Sequence, residues 1–191
     1  VSRGYVQAPS NPTPPIYLAA LRSKMVERAA EIADGVILNL FPRSALPRIM
    51  EHVAIGAERA GKKFEDVEIV CRHMMVVSDD KAAARNAFRA GFVGYYATPV
   101  YNKFLAWAGY EDAAEAIRAG WAAKDREATA AALPDELIDE IAIIGTPDEA
   151  RDLMRGYIDG GIHTNIVSCI YPTPDILKDT IESFSAENFP I

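Results

Sequence analysis

The stretch IYLAALRSKMVERAAEIADGVILNLFP, Ile16 to Pro42, decides how the chain is read. Ile16 to Leu21 is apolar throughout, as in a parallel strand covered on both faces. Polar residues follow at Arg22, Ser23 and Lys24, and a helix begins at Arg22 or Ser23. Val26, Ala29, Ala30 and Ala33 then recur at helical spacing and form its buried stripe. Ala33-Asp34-Gly35 stops the helix, with Gly35 as the C-terminal residue able to take positive φ. Val36 to Phe41 is a second apolar strand, and Pro42 blocks further ladder pairing. Strand, helix, strand within so short a span is the unit of a parallel α/β sheet.

The alternation continues outward. A second helix is expected from about Ser44 to Ala60, with Ile49, Val53, Ala57 and Ala60 as its stripe. VEIVCRHMMVV, Val67 to Val77, reads as a third strand, and Ser78-Asp79-Asp80 starts another helix with Ser78 as its cap. From about Thr98 to Asp139 strand signals vanish, and the pattern is a helical insertion between two strand–helix units. Thr146-Pro147-Asp148-Glu149 is a helix start with a capping box. Thr164 to Tyr171 is the last strand, and Asp175 to Phe184 a closing helix. Four principal strands in this order fit an open doubly wound sheet or half of an eight-stranded barrel. A complete barrel takes about 250 residues, more than the 191 of this chain.

Composition narrows the function. Half the residues are apolar and the formal charge is −7, which describes a folded chain and argues against nucleic acid as partner. No run of apolar residues is long enough to span a membrane. Cys71 and Cys169 lack metal-ligand spacing and read as reduced core thiols of a cytoplasmic protein. The chain starts at Val1 without Met, and VSRGYVQAPSNPTPP has neither the basic nor the apolar segment of a leader. Residues 1–15 read as an extended loop, and the missing start residue as a fragment, a processed chain or trimmed numbering.

Ligands of parallel α/β folds sit at the C-terminal ends of strands. There the turn Leu21 to Lys24 offers basic side chains beside the unpaired N–H groups of a helix start, an arrangement for an anion or simply a strand-to-helix connection. Asn39 is the lone polar residue of its strand and needs partners, from a ligand or from backbone. Arg72 and His73 are adjacent, so alternation sends them to opposite faces and one faces the ligand end. Ser168 and Tyr171 stand near the end of the last strand. Dinucleotide and P-loop glycine patterns, a nucleophile elbow and paired-Cys metal motifs are all missing.

PPIYLAALRSKMVERAAEIADGVILNL (14–40) and LPDELIDEIAIIGTPDEARDLMRGYIDGGIHTNIV (133–167) together resemble the luciferase-like monooxygenase superfamily. The nearer likeness is to its branch of coenzyme F420 (deazaflavin)-dependent oxidoreductases. The resemblance implies a (β/α)8 barrel of which this chain supplies strands five to eight, with the insertion in its family place. It implies hydride transfer between F420, or alternatively FMN, and a small organic substrate, with several polar orienting groups in the absent half and no catalytic acid or base named in this chain. It maps the cofactor-phosphate turn onto Leu21, Arg22, Ser23 and Lys24, where many relatives read Gly-Pro-Lys. Asn39 joins the cofactor residues, and Arg72, His73, Ser168 and Tyr171 line the substrate pocket. The partner it implies is the missing N-terminal half-barrel or a second copy of the chain.

Overall fold

The computed structural model describes residues 13–170 and 173–190. Strand β1 (Tyr17–Ala19) leads through the Leu21–Arg22 turn into α1 (Ser23–Ile32), and β2 (Gly35–Asn39) follows. A 3-10 turn (Arg43–Ala45) precedes α2 (Leu46–Arg59), and a second (Phe64–Asp66) precedes β3 (Glu68–Val77). Five helices come next: α3 (Lys81–Ala97), α4 (Pro99–Trp107), α5 (Glu111–Ala122), α6 (Arg126–Ala131) and α7 (Asp135–Ile141). Strand β4 (Ile143–Gly145), α8 (Pro147–Asp159), β5 (Thr164–Cys169) and α9 (Pro174–Ser183) complete the described chain. None of the helices in the described residues is long and apolar enough to cross a membrane.

Every strand pairing is parallel. β1 pairs β2, β2 pairs the first half of β3, and β5 runs along the other edge of β3. Met75 pairs with both Ile143 and Cys169, so β4 lies on the β2 edge of β3, beyond the end of β2. The short strand β4 is absent from the sequence reading, because three apolar residues directly after a helix carry no period of their own.

β2 ends earlier than its apolar run. Leu40 takes φ 52, an uncommon backbone for a leucine, and turns the chain out of the ladder before Phe41 and Pro42. The buried Tyr96 hydroxyl donates to the Leu40 carbonyl at 3.2 Å and holds that bend. Gly35 is not the positive-φ helix terminator expected from sequence. It is the first residue of β2, and a Cβ there would overlap the Tyr17 ring. Asp80, not Ser78, caps α3, accepting from Ala83 N–H at 2.9 Å.

The two faces of the sheet differ. Val36, Leu38, Ile69, Cys71, Met75 and Val77 bury into one core with Val26, Ala29 and Ala30 of α1, Ile49, Val53 and Ala57 of α2, and Tyr157 of α8. The register places Tyr17, Gly35, Glu68 in one layer of the other face, Ala19, Ile37, Val70 in the next, and Asn39 with Arg72 above. At the strand ends this second face meets a separate core, where Met74, Val76 and Leu40 pack with Phe88, Tyr96, Leu105, Ile117 and Leu137. Along β5 this face is open, and Ile166, the register partner of Arg72, is 44% exposed.

The α1–α2 pair is locked by a buried carboxylate. Glu27 is only 2% exposed. It accepts from Arg59 at 2.6 Å, His52 at 3.0 Å and Lys24 at 3.2 Å. Gly56 lets the helices meet there, since a Cβ would overlap the Glu27 carbonyl oxygen. The Arg59 hydrogen bond, with those of Lys24 and His52, outweighs desolvation and holds the Glu27 carboxyl at about 2, below its usual 4.5. A lowered folded-state value favours the native state above the unfolded value and loses that contribution as pH falls through the folded one. Glu27→Gln should therefore lower the urea midpoint near neutral pH by roughly 0.5 M. The gap to wild type should close as pH falls from 4.5 towards 2. Urea titrations across that range check it, and a gap independent of pH would contradict it.

Candidate functional site

A cavity of about 350 Å³ opens at the C-terminal ends of the first three strands. Ala19, Leu21 and Ile37 form apolar walls, Asn39 and Arg72 supply its polar groups, and Val100 and Tyr101 of α4 roof it. Three of the residues singled out in the sequence, Leu21, Asn39 and Arg72, thus meet in one place. They do so because Asn39 and Arg72 are register partners on adjacent parallel strands, and side chains in register share a face.

Asn39 is the unusual member. Its Oδ1 is buried and has no hydrogen-bond partner among the described residues. A buried polar atom left unmet costs about 1–3 kcal/mol, and native structures leave few of them. Arg72 is exposed, and its Nε donates to Ser168 Oγ at 3.3 Å. Among the described residues no carboxylate lies within ion-pair distance of it, whereas Arg59 and Arg85 both hold acids. Ser168 reaches the cavity only through Arg72. Tyr171 lies outside the described residues.

The turn beside the cavity has a definite geometry. Arg22 is the extended N-cap of α1, with φ −113 and ψ 157, and no side chain caps the helix. Its carbonyl accepts from Met25 and Val26 N–H, so the Ser23 and Lys24 N–H groups have no acceptor within the helix. No residue of the turn has positive φ, so glycine is not required for the turn itself. The Lys24 ammonium lies 3.2 Å from the Glu27 carboxylate.

His73 is not at the cavity. It projects from the helix-covered face, with its ring 4.5 Å from that of Tyr157 and its Nε2 2.8 Å from Asn165 Oδ1. Cys71 Sγ lies 3.7 Å from His73 Nδ1, giving a Cys-His-Asn series that resembles a nucleophilic relay in composition. Burial decides against that chemistry. It pushes the thiol up to about 12 and the imidazole down to about 4. Neither charged form is accessible at neutral pH. The arithmetic of alternation was right, but sequence alone could not say which neighbour faced the ligand end. Tyr101 and Val100 gave no sequence signal, since they reach the cavity only through the packing of α4.

A larger cavity of about 680 Å³ lies away from the strand ends, lined by Gly91 and Gly94 of α3, Trp121 of α5 and Arg126 of α6. Its Arg89 is already bonded to Asp135 and the Leu133 carbonyl. The smaller cavity is lined by Asn39 and Arg72 and sits where parallel sheets bind ligands, and it is the site developed below.

The model of the family described as luciferase-like monooxygenase matches residues 3–164. The chain belongs to that family. It is 29% identical over 180 residues to 5,10-methylenetetrahydromethanopterin reductase of Archaeoglobus fulgidus, covering 92% of this chain and 54% of that protein. With the enzyme of the same name from Methanolobus tindarius it shares 30% identity over 156 residues, covering 81% and 47%. The coenzyme F420-dependent tetrahydromethanopterin reductase structure from Methanopyrus kandleri superposes with a TM-score of 0.71 at 21% identity, covering 92% of this chain and 51% of that one. The chain thus spans about half the length of the relatives it matches. The last of these likenesses speaks to the α/β fold with its parallel sheet.

Removing the unmet atom should relieve the fold. Asn39→Leu should raise the stability of the ligand-free protein by about 1 kcal/mol, because the buried acceptor is lost and volume is kept. Urea unfolding measures it. A fall in stability would mean that Asn39 is already satisfied.

Proposed function

We propose that this chain forms strands five to eight of a (β/α)8 barrel oxidoreductase that transfers a hydride between F420 and a small organic substrate. The observation that carries the reading is the cavity, where Asn39 and an Arg72 with no carboxylate partner among the described residues sit among apolar walls at the strand ends. The family match and the F420-dependent relatives support the cofactor class. The residues present fit such a group. Ala19, Leu21 and Ile37 suit a flat ring, and the free N–H groups at the start of α1 with Arg22 suit a phosphate.

A bound deazaflavin supplies the hydride-accepting or hydride-donating carbon. The protein's own part is placement. Arg22 and the α1 N–H groups anchor the anionic tail, Asn39 and Arg72 fix ring orientation, and Val100 and Tyr101 exclude water from above. Arg72 is itself steadied by Ser168. The rest of the barrel covers the open face that carries Ala19 and Ile166, either as the N-terminal half of the same protein or through a second copy.

FMN is the alternative cofactor, because the same turn and apolar walls serve either ring. A structure of the same fold, the oxygenating constituent of 3,6-diketocamphane monooxygenase, is a complex with FMN. Titration of the full-length protein with each cofactor, read by quenching of Trp107 and Trp121, separates them. F420 should bind more tightly than FMN, and Arg22→Ala should weaken F420 about tenfold through the lost charge-assisted hydrogen bonds. Equal or tighter FMN binding would overturn the deazaflavin assignment. Unchanged affinity in Arg22→Ala would make the turn a connection only. No binding of either cofactor by the full-length protein would favour a non-catalytic half-barrel.

A further inference from the structure

The larger cavity, of about 680 Å³, is lined only by the helical segment between β3 and β4. Small-molecule sites span roughly 300–1,000 Å³. Its space depends on Gly91 and Gly94, one turn apart inside the 17-residue α3. The fold demands neither glycine. Neither has positive φ. A Cβ on Gly91 would meet nothing within 4 Å, and one on Gly94 would lie an ordinary 3.7 Å from the Trp121 ring. Alanine would serve the helix better at both positions. What the glycines leave is a strip of bare backbone, with Trp121 over Gly94 and open space over Gly91.

The lining offers rings and one available charge. Trp121 is 55% and Tyr95 49% exposed. The Thr98 and Thr129 hydroxyls are spent on the carbonyls of Tyr95, at 2.6 Å, and Asp125, at 2.5 Å. Arg89 is held by Asn86, Asp135 and the Leu133 carbonyl. Arg126 has no acid within ion-pair distance among the described residues, and its neighbour Asp125 is engaged in capping α6, accepting from Ala128 N–H at 2.9 Å. A single cation among apolar rings selects an anion with an apolar body. A strip of bare backbone beside an indole selects a flat one.

We propose that this cavity binds a flat aromatic anion, its ring along the Gly91–Gly94 backbone beside Trp121 and its charge at Arg126. The site is separate from the cofactor cavity and adjoins it. Tyr95 of one and Tyr101 of the other meet edge to face, with ring centroids 5.8 Å apart. A ligand here binds beside the occupant of the smaller cavity and does not replace it.

Calorimetric titration of the full-length protein tests it. The ligands are naphthoate as the flat anion, naphthamide as its neutral counterpart and decanoate as a chain-like anion. Naphthoate should bind most tightly, with naphthamide weaker by about tenfold through the lost charge-assisted hydrogen bonds. Arg126→Gln should bring naphthoate down to the affinity of naphthamide and leave naphthamide unchanged. Gly91→Leu should fill the cavity and abolish naphthoate binding. Its urea midpoint should stay at or above that of wild type, because leucine is the better helix former. Both variants should bind F420 or FMN as wild type does. The proposal is overturned if naphthoate does not bind, if naphthamide binds as tightly, if decanoate binds more tightly, or if Gly91→Leu still binds naphthoate. Naphthoate binding lost in Arg72→Met but kept in Arg126→Gln would place it in the smaller cavity and overturn the proposal as well. Naphthoate binding that follows this pattern in a protein that takes up neither F420 nor FMN would remove the proposed function and leave this site standing.

Discussion

Strand β3 is bonded along both edges, and the rest of the structure hangs on it. β2 and then β4 run along one side and β5 along the other, all parallel. A strand so placed must satisfy two environments through alternate residues. Ile69, Cys71, His73, Met75 and Val77 are buried on the face packed against helices, and Met74 and Val76 are buried on the other under the helical cluster. Between them Arg72 stays exposed, the direct register partner of Asn39. A slip of one residue in this strand would bury the guanidinium in the helix-side core and move His73 to the cavity. The ladder therefore positions the site as directly as it positions the core.

The same strand explains how the two cores coexist. The helix-side core joins α1, α2 and α8 to the sheet, and the buried Glu27 cluster ties α1 to α2. The second core gathers the helices between β3 and β4 around Phe88, Tyr96 and Leu105 and reaches the sheet through Met74, Val76 and Leu40. Leu40 connects it to the cavity. Its φ of 52 ends β2 just after Asn39, and the Tyr96 hydroxyl holds the bend. The helical segment thus both roofs the cavity and fixes the strand end that forms its floor.

Much of this was legible in the sequence. The apolar runs at Ile16 to Leu21 and Val36 to Phe41 placed strands, and the stripe Val26, Ala29, Ala30, Ala33 placed the helix between them, because burial on a regular period is a local signal. The Thr146–Glu149 capping box was equally local, and both of its bonds are present. What was not legible depends on contacts distant in sequence. Gly35 sits under the Tyr17 ring, Leu40 answers to Tyr96, and Tyr101 arrives over the cavity through helix packing. His73 and Arg72 show the limit most clearly. Alternation requires them to part, and only the third dimension says that His73 joins Tyr157 and Asn165 in the core.

The central claim is that the second face of this sheet is the inner wall of a barrel closed by further polypeptide. Ile166 and Ala19 lie exposed on it, and among the described residues the outer strands β1 and β5 have no strand partner on their far edges. Light scattering on the purified 191-residue chain tests this most directly. The account predicts association, as dimers or larger species, with monomer recovered only when the complementary half of the barrel is supplied. A stable monomer of 20.9 kDa that unfolds cooperatively on its own would contradict it and return the fold to an open sheet.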